Sequence, residues 1–138
     1  MITVENHLSY ETYFALRESV GWNNFLPEQA KRALDNSYYS IVVKEADEAI
    51  AMGRIVGDGI YFTIVDVAVH PKHQGQGIGK MIMQNLLSYL EEQLPEGAKA
   101  SVSLIAEAGK EEFYRKQGFQ TIPCEGCGPA LRKIIWKK

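Results

Sequence analysis

The stretch between Val65 and Leu94 leaves this chain few ways to fold. An apolar run ends at His70-Pro71, a turn with Gln74, Gly75, Gly77 and Gly79 follows, and an amphipathic run starts near Gly77. Ile78, Ile82, Leu86, Leu90 and Leu94 recur every fourth residue, widened by Met81, Met83 and Leu87, while Lys80, Gln84, Ser88 and Glu91 trace the opposite stripe. That pattern predicts a helix with one buried face, stopped at Pro95-Glu96-Gly97. A strand that feeds such a helix through glycines leaves several backbone N–H groups unpaired at the positive end of the helix dipole. The turn is therefore expected to hold an anion, phosphate first.

The flanking sequence fits around this unit. Ile2 to Asn6 alternates as a short strand, and Ser9 is placed to cap a helix over Tyr10 to Val20, with Tyr13, Leu16 and Val20 on its apolar face and Gly21 as its stop. Pro27 suits the first position of a second helix reaching about Asn36. Trp22 and Phe25, between these helices, read either as core anchors or as pocket residues. Tyr39–Lys44, Ala49–Val56 and Ile60–Val69 read as three strands, and Asp58-Gly59 between the last two signals a hairpin, so the three form an antiparallel meander. The third is almost continuously apolar, which predicts a central strand covered on both faces; Asp66 interrupts it. Ala100–Ile105 is a further strand, reached from the third by a right-handed parallel crossover. A short helix over Gly109 to Gln117 ends at Gly118, and Phe119–Ile122 and Leu131–Trp136 read as two last strands. The expected fold is α/β (α+β): a single domain over residues 1–138, with a central mixed sheet of six to seven strands and helices on both faces.

At 138 residues the chain suits one core. A formal charge of -2 argues against a nucleic-acid grip built on phosphate neutralisation. No apolar run approaches the roughly 18 to 20 residues of a membrane span, and the N-terminus lacks a basic region followed by an apolar core, so a cytoplasmic protein without a membrane partner is expected. Cys124 and Cys127 stand in a C-x-x-C pair, which could be redox-active or half a zinc site, but no second pair or His-x-x-x-His completes a metal set; a plain turn is expected there ahead of either role, and no metal.

Spacing separates three glycine-rich motifs. A P-loop ending at Gly79-Lys80 would need glycine where Gln74 stands and a hydroxyl where Met81 stands. A dinucleotide fingerprint from Gly75 and Gly77 finds Lys80 in place of its third glycine, and would follow a first parallel strand rather than a meander. What remains is Gln74-x-x-Gly77-x-Gly79. This resembles the acyl-coenzyme A pyrophosphate loop of the GNAT superfamily of N-acetyltransferases, Gln/Arg-x-x-Gly-x-Gly/Ala. Phe113-Tyr114-x-x-x-Gly118-Phe119 resembles the same superfamily's signature on its last helix. The likeness runs from about Tyr39 to the C-terminus.

The resemblance implies acetyl-CoA as co-substrate and N-acetyl transfer as the activity. It implies that backbone N–H groups of Gln74, Gly75, Gln76, Gly77, Ile78, Gly79 and Lys80 cradle the pyrophosphate, and that the strand Val67-Ala68-Val69 pairs through its main chain with the pantetheine amides. Tyr114 is implied as the acid that protonates the leaving thiolate, a favourable transfer between a phenol near pKa 10 and a thiol near 8.5; on periodicity alone it reads as a core aromatic. Many members carry Asn six positions before this tyrosine, where this chain has Ala108.

The acceptor is expected to be a primary amine of a small molecule, peptide or protein, attacking directly in a ternary complex, since no cysteine is placed to form an acyl-enzyme. An ammonium must first lose a proton, and Asp66 is the first candidate base, with a structural acid paired to Arg54 or to a backbone N–H as the equal alternative. His70 and His73 follow as bases. Backbone N–H on the central strand could stabilise the oxyanion. Glu11, Glu18 and Glu28 would suit a cationic acceptor. A non-catalytic acyl-CoA-binding module is the alternative function, and a homodimer stays open.

Overall fold

The computed structural model describes all residues, Met1 to Lys138. They form two compact units, Met1–Leu104 and Ile105–Lys138.

The first unit is a five-stranded mixed sheet in the order β1 to β5, flanked by helices: β1 (Ile2–Glu5), β2 (Tyr39–Glu45), β3 (Glu48–Gly57), β4 (Tyr61–Val69) and β5 (Ser101–Ser103). The first four run antiparallel, β2 to β4 as the hairpin signals predict, and β4–β5 is parallel, joined through helix α3 (Ile78–Gln93). Asp58 holds the β3–β4 hairpin by accepting from the N–H groups of Ile60 and Tyr61, both at 2.9 Å. Those two bonds lower its pKa, because they favour the carboxylate over the acid.

Helix α1 (Tyr10–Ser19) starts where expected, with Ser9 accepting from Thr12 N–H, and is followed by Gly21 at φ +80°. Helix α2 (Pro27–Asp35) begins on its proline. Together they cover one face of the sheet, packing Leu8, Tyr13, Leu16 and Ala30 against Val42, Met52 and Ala68. On α3, Ile82, Met83 and Leu86 are fully buried, and removing such a side chain typically costs about 2 to 5 kcal/mol. Gly53 lets α3 approach β3: a Cβ there would lie 2.7 Å from Ile82 and 3.2 Å from Leu86.

Two expectations need correction. The sheet has five strands, not six or seven: Phe119–Ile122 and Leu131–Trp136 form none, because alternation in sequence makes a strand only where a neighbour takes up its backbone hydrogen bonds. And the strand at the centre, buried almost throughout, is β3; β4 is only partly covered. The reason is β5, which pairs with Tyr61–Thr63 alone and leaves Ile64–Val69 without a strand on that side.

In the second unit, helix α4 (Glu111–Arg115) is shorter than expected and is followed by Gly118 at φ +94°. No helix of the chain is long and apolar enough to cross a membrane.

Candidate active site

The open edge of β4 carries a bulge. Val65 pairs with Arg54 and Ala68 with Met52, so Asp66 and Val67 share the space opposite Gly53. Asp66 takes φ +56°, a left-handed conformation that suits the first residue of a bulge but strains any residue with a Cβ.

Its side chain explains how the strain is held. Oδ1 of Asp66 accepts from Arg17 Nη1 at 2.6 Å; Oδ2 accepts from Arg54 Nε at 2.8 Å and from the Tyr13 hydroxyl at 3.0 Å. Arg17 and Arg54 are the two charged residues buried in the core. Arg17 also donates through Nη2 to Asn23 C=O at 2.6 Å and lies over the rings of Trp22 and Phe25, 5.2 and 4.9 Å from their centroids. Arg54 donates to the Ser37 hydroxyl at 3.0 Å. Burial, then the charge of Asp66, raises the pKa of Tyr13, which stays a neutral donor. In this setting Asp66 is the counter-ion of both guanidiniums. Giving it a proton would strip two buried guanidiniums of their only carboxylate.

Sequence had offered Arg54 as the partner and missed Arg17. The signal was available: Arg17 follows Tyr13 by four residues, on the apolar face of α1, where a charge needs a buried opposite. Trp22 and Phe25 meet this cluster as π faces for Arg17.

Beyond the bulge, His70 N–H donates to Ile50 C=O at 2.8 Å, so His70 turns toward β3 and Val69 turns its N–H and C=O the other way, to the open edge. Val67, two residues back, shares that edge. Gln74 reaches back to the same place, its Nε2 donating to Val69 C=O at 2.9 Å. The carbonyl keeps a second lone pair, and the N–H is left to a ligand.

The chain then makes a 3-10 turn over Pro71–His73, in which His70 Nδ1 accepts from Lys72 N–H at 3.1 Å. His73 Nδ1 lies 3.4 Å from Glu45. Gly75 and Gly77 sit at φ +80° and +79°, and a Cβ on either would meet nothing within 4 Å. Gly77 caps α3 without any side-chain bond, and the helix ladder opens with Met81 N–H to Gly77 C=O. The N–H groups of Ile78, Gly79 and Lys80 precede that bond. Uncapped donors, a helix of sixteen residues behind them and bare glycine main chain in front fit a pyrophosphate. An unpaired strand edge beside them fits an amide-bearing chain.

Gln74 to Lys80, Val67 to Val69 and Asp66 are thus brought together on one continuous run of the first unit. Tyr114 belongs to the second. On α4 its ring meets Phe113 edge-on at 5.0 Å and Phe119 at 6.1 Å. Burial, then the negative charge of Glu107, raises its pKa, so the phenol keeps its proton throughout the neutral range. Glu11, Glu18 and Glu28 are exposed.

Comparison with known proteins bears on the family and the fold. The family model of an acetyltransferase (GNAT) domain matches residues 36–121. An uncharacterised N-acetyltransferase, ycf52-like, of Prochlorococcus marinus is 38% identical over 113 residues, covering 78% of this chain and 61% of that protein. Serotonin N-acetyltransferase 2, chloroplastic, of Oryza sativa is 31% identical, covering 75% of this chain and 52% of that protein. The chain therefore spans between half and two thirds of the length of these curated relatives. The crystal structure of SA2161 from methicillin-resistant Staphylococcus aureus, described as a probable acetyltransferase of unknown function, superposes with a TM-score of 0.82 at 32% identity, covering 96% of this chain and all of that one.

Proposed function

The chain belongs to the GNAT acetyltransferase family, and from that premise we propose that it moves an acetyl group from acetyl-CoA to a primary amine by direct attack in a ternary complex. The observation that carries this reading is the junction of the two donor-bearing features: the unpaired edge of β4 beyond Thr63, and the uncapped start of α3 immediately after it. We read residues 1–138 as one N-acetyltransferase domain, since the family match at 36–121 runs across both compact units.

Acetyl-CoA, the co-substrate, would supply an activated thioester. Gln74, Gly75, Gln76, Gly77, Ile78, Gly79 and Lys80 bind its pyrophosphate through main-chain N–H groups, and Gln74 also holds the loop to Val69. Val67, Ala68 and Val69 present the strand edge to the pantetheine amides, and N–H groups on that edge meet charge developing on the acyl oxygen. Tyr114 donates its proton to the departing thiolate; a raised phenol pKa keeps that proton available. Asp66 acts by position, fixing the bulge. The amine's proton goes to water, since both carboxylate oxygens of Asp66 are taken up by Arg17, Arg54 and Tyr13.

The acceptor class is a primary amine, on a small molecule or a peptide. The rice relative's name makes arylalkylamines a sensible first group for this chain. The test is a free-thiol release assay with acetyl-CoA over arylalkylamines, polyamines, amino sugars and N-terminal peptides, beside a thermal-shift comparison of acetyl-CoA, CoA, NAD and ATP. Stabilisation by both CoA compounds and thiol release with at least one amine is expected. A stable acetyl-CoA complex with no turnover across the panel would make the protein a binding module instead.

A further inference from the structure

The chain's two cysteines face each other in the second unit. Cys124 N–H donates to Cys127 C=O and Cys127 N–H to Cys124 C=O, each at 3.0 Å, which closes an antiparallel bridge around the two-residue turn Glu125-Gly126. Gly126, at φ +79°, supplies the left-handed residue that the turn requires. Residues opposed in such a bridge project their side chains to one face, with Cα atoms about 5.5 Å apart. A disulfide spans Cα separations of about 4.4 to 6.8 Å, so this backbone already has the spacing for one.

Both residues are free thiols, Cys127 exposed and Cys124 partly buried. No group of three or more His, Cys, Asp or Glu side chains gathers anywhere in the chain, and a tetrahedral metal would find only half its ligands in this pair. Two opposed thiols are placed for thiol–disulfide exchange.

We propose that Cys124 and Cys127 are a reversible redox pair that closes to an intramolecular disulfide when met by a small-molecule disulfide such as oxidised glutathione. The Cys127 thiolate, the more accessible, attacks one sulfur of the oxidant and expels one glutathione thiolate, leaving a mixed disulfide. The Cys124 thiolate then attacks the Cys127 sulfur and expels the second. In balance, two protein thiols lose two electrons and two protons, and one oxidised glutathione becomes two reduced molecules. The ring closed is only four residues long, so it removes little chain entropy from the unfolded state. Such a disulfide has weak thermodynamic backing and reopens readily, the behaviour of a regulatory bond rather than a structural one.

The test uses the intact chain. Incubation with excess oxidised glutathione should remove both titratable thiols and lower the intact mass by two hydrogens with no adduct, and dithiothreitol should restore both. Cys124→Ser cannot close the ring and should retain one glutathionyl group on Cys127; wild type should carry at least about tenfold less adduct under the same conditions. Adducts on both cysteines of wild type, a disulfide-linked dimer on a non-reducing gel, or thiols that do not react would each overturn the proposal. Because serine is close to cysteine in size and Cys124 is only partly buried, circular dichroism of Cys124→Ser should match wild type, which separates failed chemistry from failed folding.

Discussion

Arg17 Nη1 lies 2.6 Å from Asp66 Oδ1, and the contact ties helix α1 to the bulge of β4. With Arg54 on the other carboxylate oxygen, it makes the bulge an electrostatic joint between a helix and two strands.

Asp66→Asn should therefore destabilise the chain by about 3 to 5 kcal/mol, the usual cost of leaving a buried charge unpaired. Asp66→Gly relieves the positive φ yet should remain destabilised, because the guanidiniums still lose their counter-ion. Urea denaturation reads both. In kinetics, Asp66→Asn should keep the shape of the wild-type pH–rate profile; loss of its acidic limb with stability intact would restore Asp66 as the base.

Gly77→Glu should abolish acetyl-CoA binding. It places a carboxylate in front of the N–H groups meant for pyrophosphate and forces a side chain onto a residue at φ +79°. The nucleotide thermal-shift series reports it directly, with the wild-type shift lost. Unchanged affinity would remove the loop assignment.

Tyr114→Phe should lower kcat by roughly 10²-fold or more while leaving acetyl-CoA affinity within a few fold, the signature of a lost general acid. Since burial raises this phenol above its ordinary value of 10.0, the wild-type rate should show no loss from Tyr114 until the pH exceeds about 10. A wild-type kcat in the variant would leave Tyr114 as a packing residue between Phe113 and Phe119.

Stability at high pH should follow the tyrosines. Tyr13, Tyr39 and Tyr114 all have folded pKa values raised above 10.0, burial being the first cause for each. The folded state thus holds protons that the unfolded state has given up. Their contribution is fully present below about pH 10 and is lost as pH rises through the raised folded values. Thermal melts should fall steeply above about pH 10. Tyr13→Phe should soften that fall, while lowering the neutral-pH melting temperature through the lost bond to Asp66.

The first unit was legible in sequence where periodicity and turn chemistry agreed. Ser9, Gly21, Pro27 and Asp58-Gly59 each marked a boundary that the structure keeps, and the glycine spacing located the uncapped end of α3. Asp66 announced that it needed a partner, but the choice between a base and a counter-ion lay in tertiary packing, since Arg17 is forty-nine residues away. The final strands failed for a related reason. Leu131 to Trp136 carries strand-like residues, but pairing is a property of neighbours, and these side chains stand exposed.

The short β5 has one more consequence. On the proposed reading, a donor site formed by main-chain atoms would make few demands on the side chains of β4: Val67 and Val69 could become isoleucine or threonine and still offer the same amides. Specificity for the donor would then be inherited with the backbone, while the acceptor pocket stays free to change one residue at a time. A scaffold divided in this way can take up new amines without relearning how to hold its acyl donor.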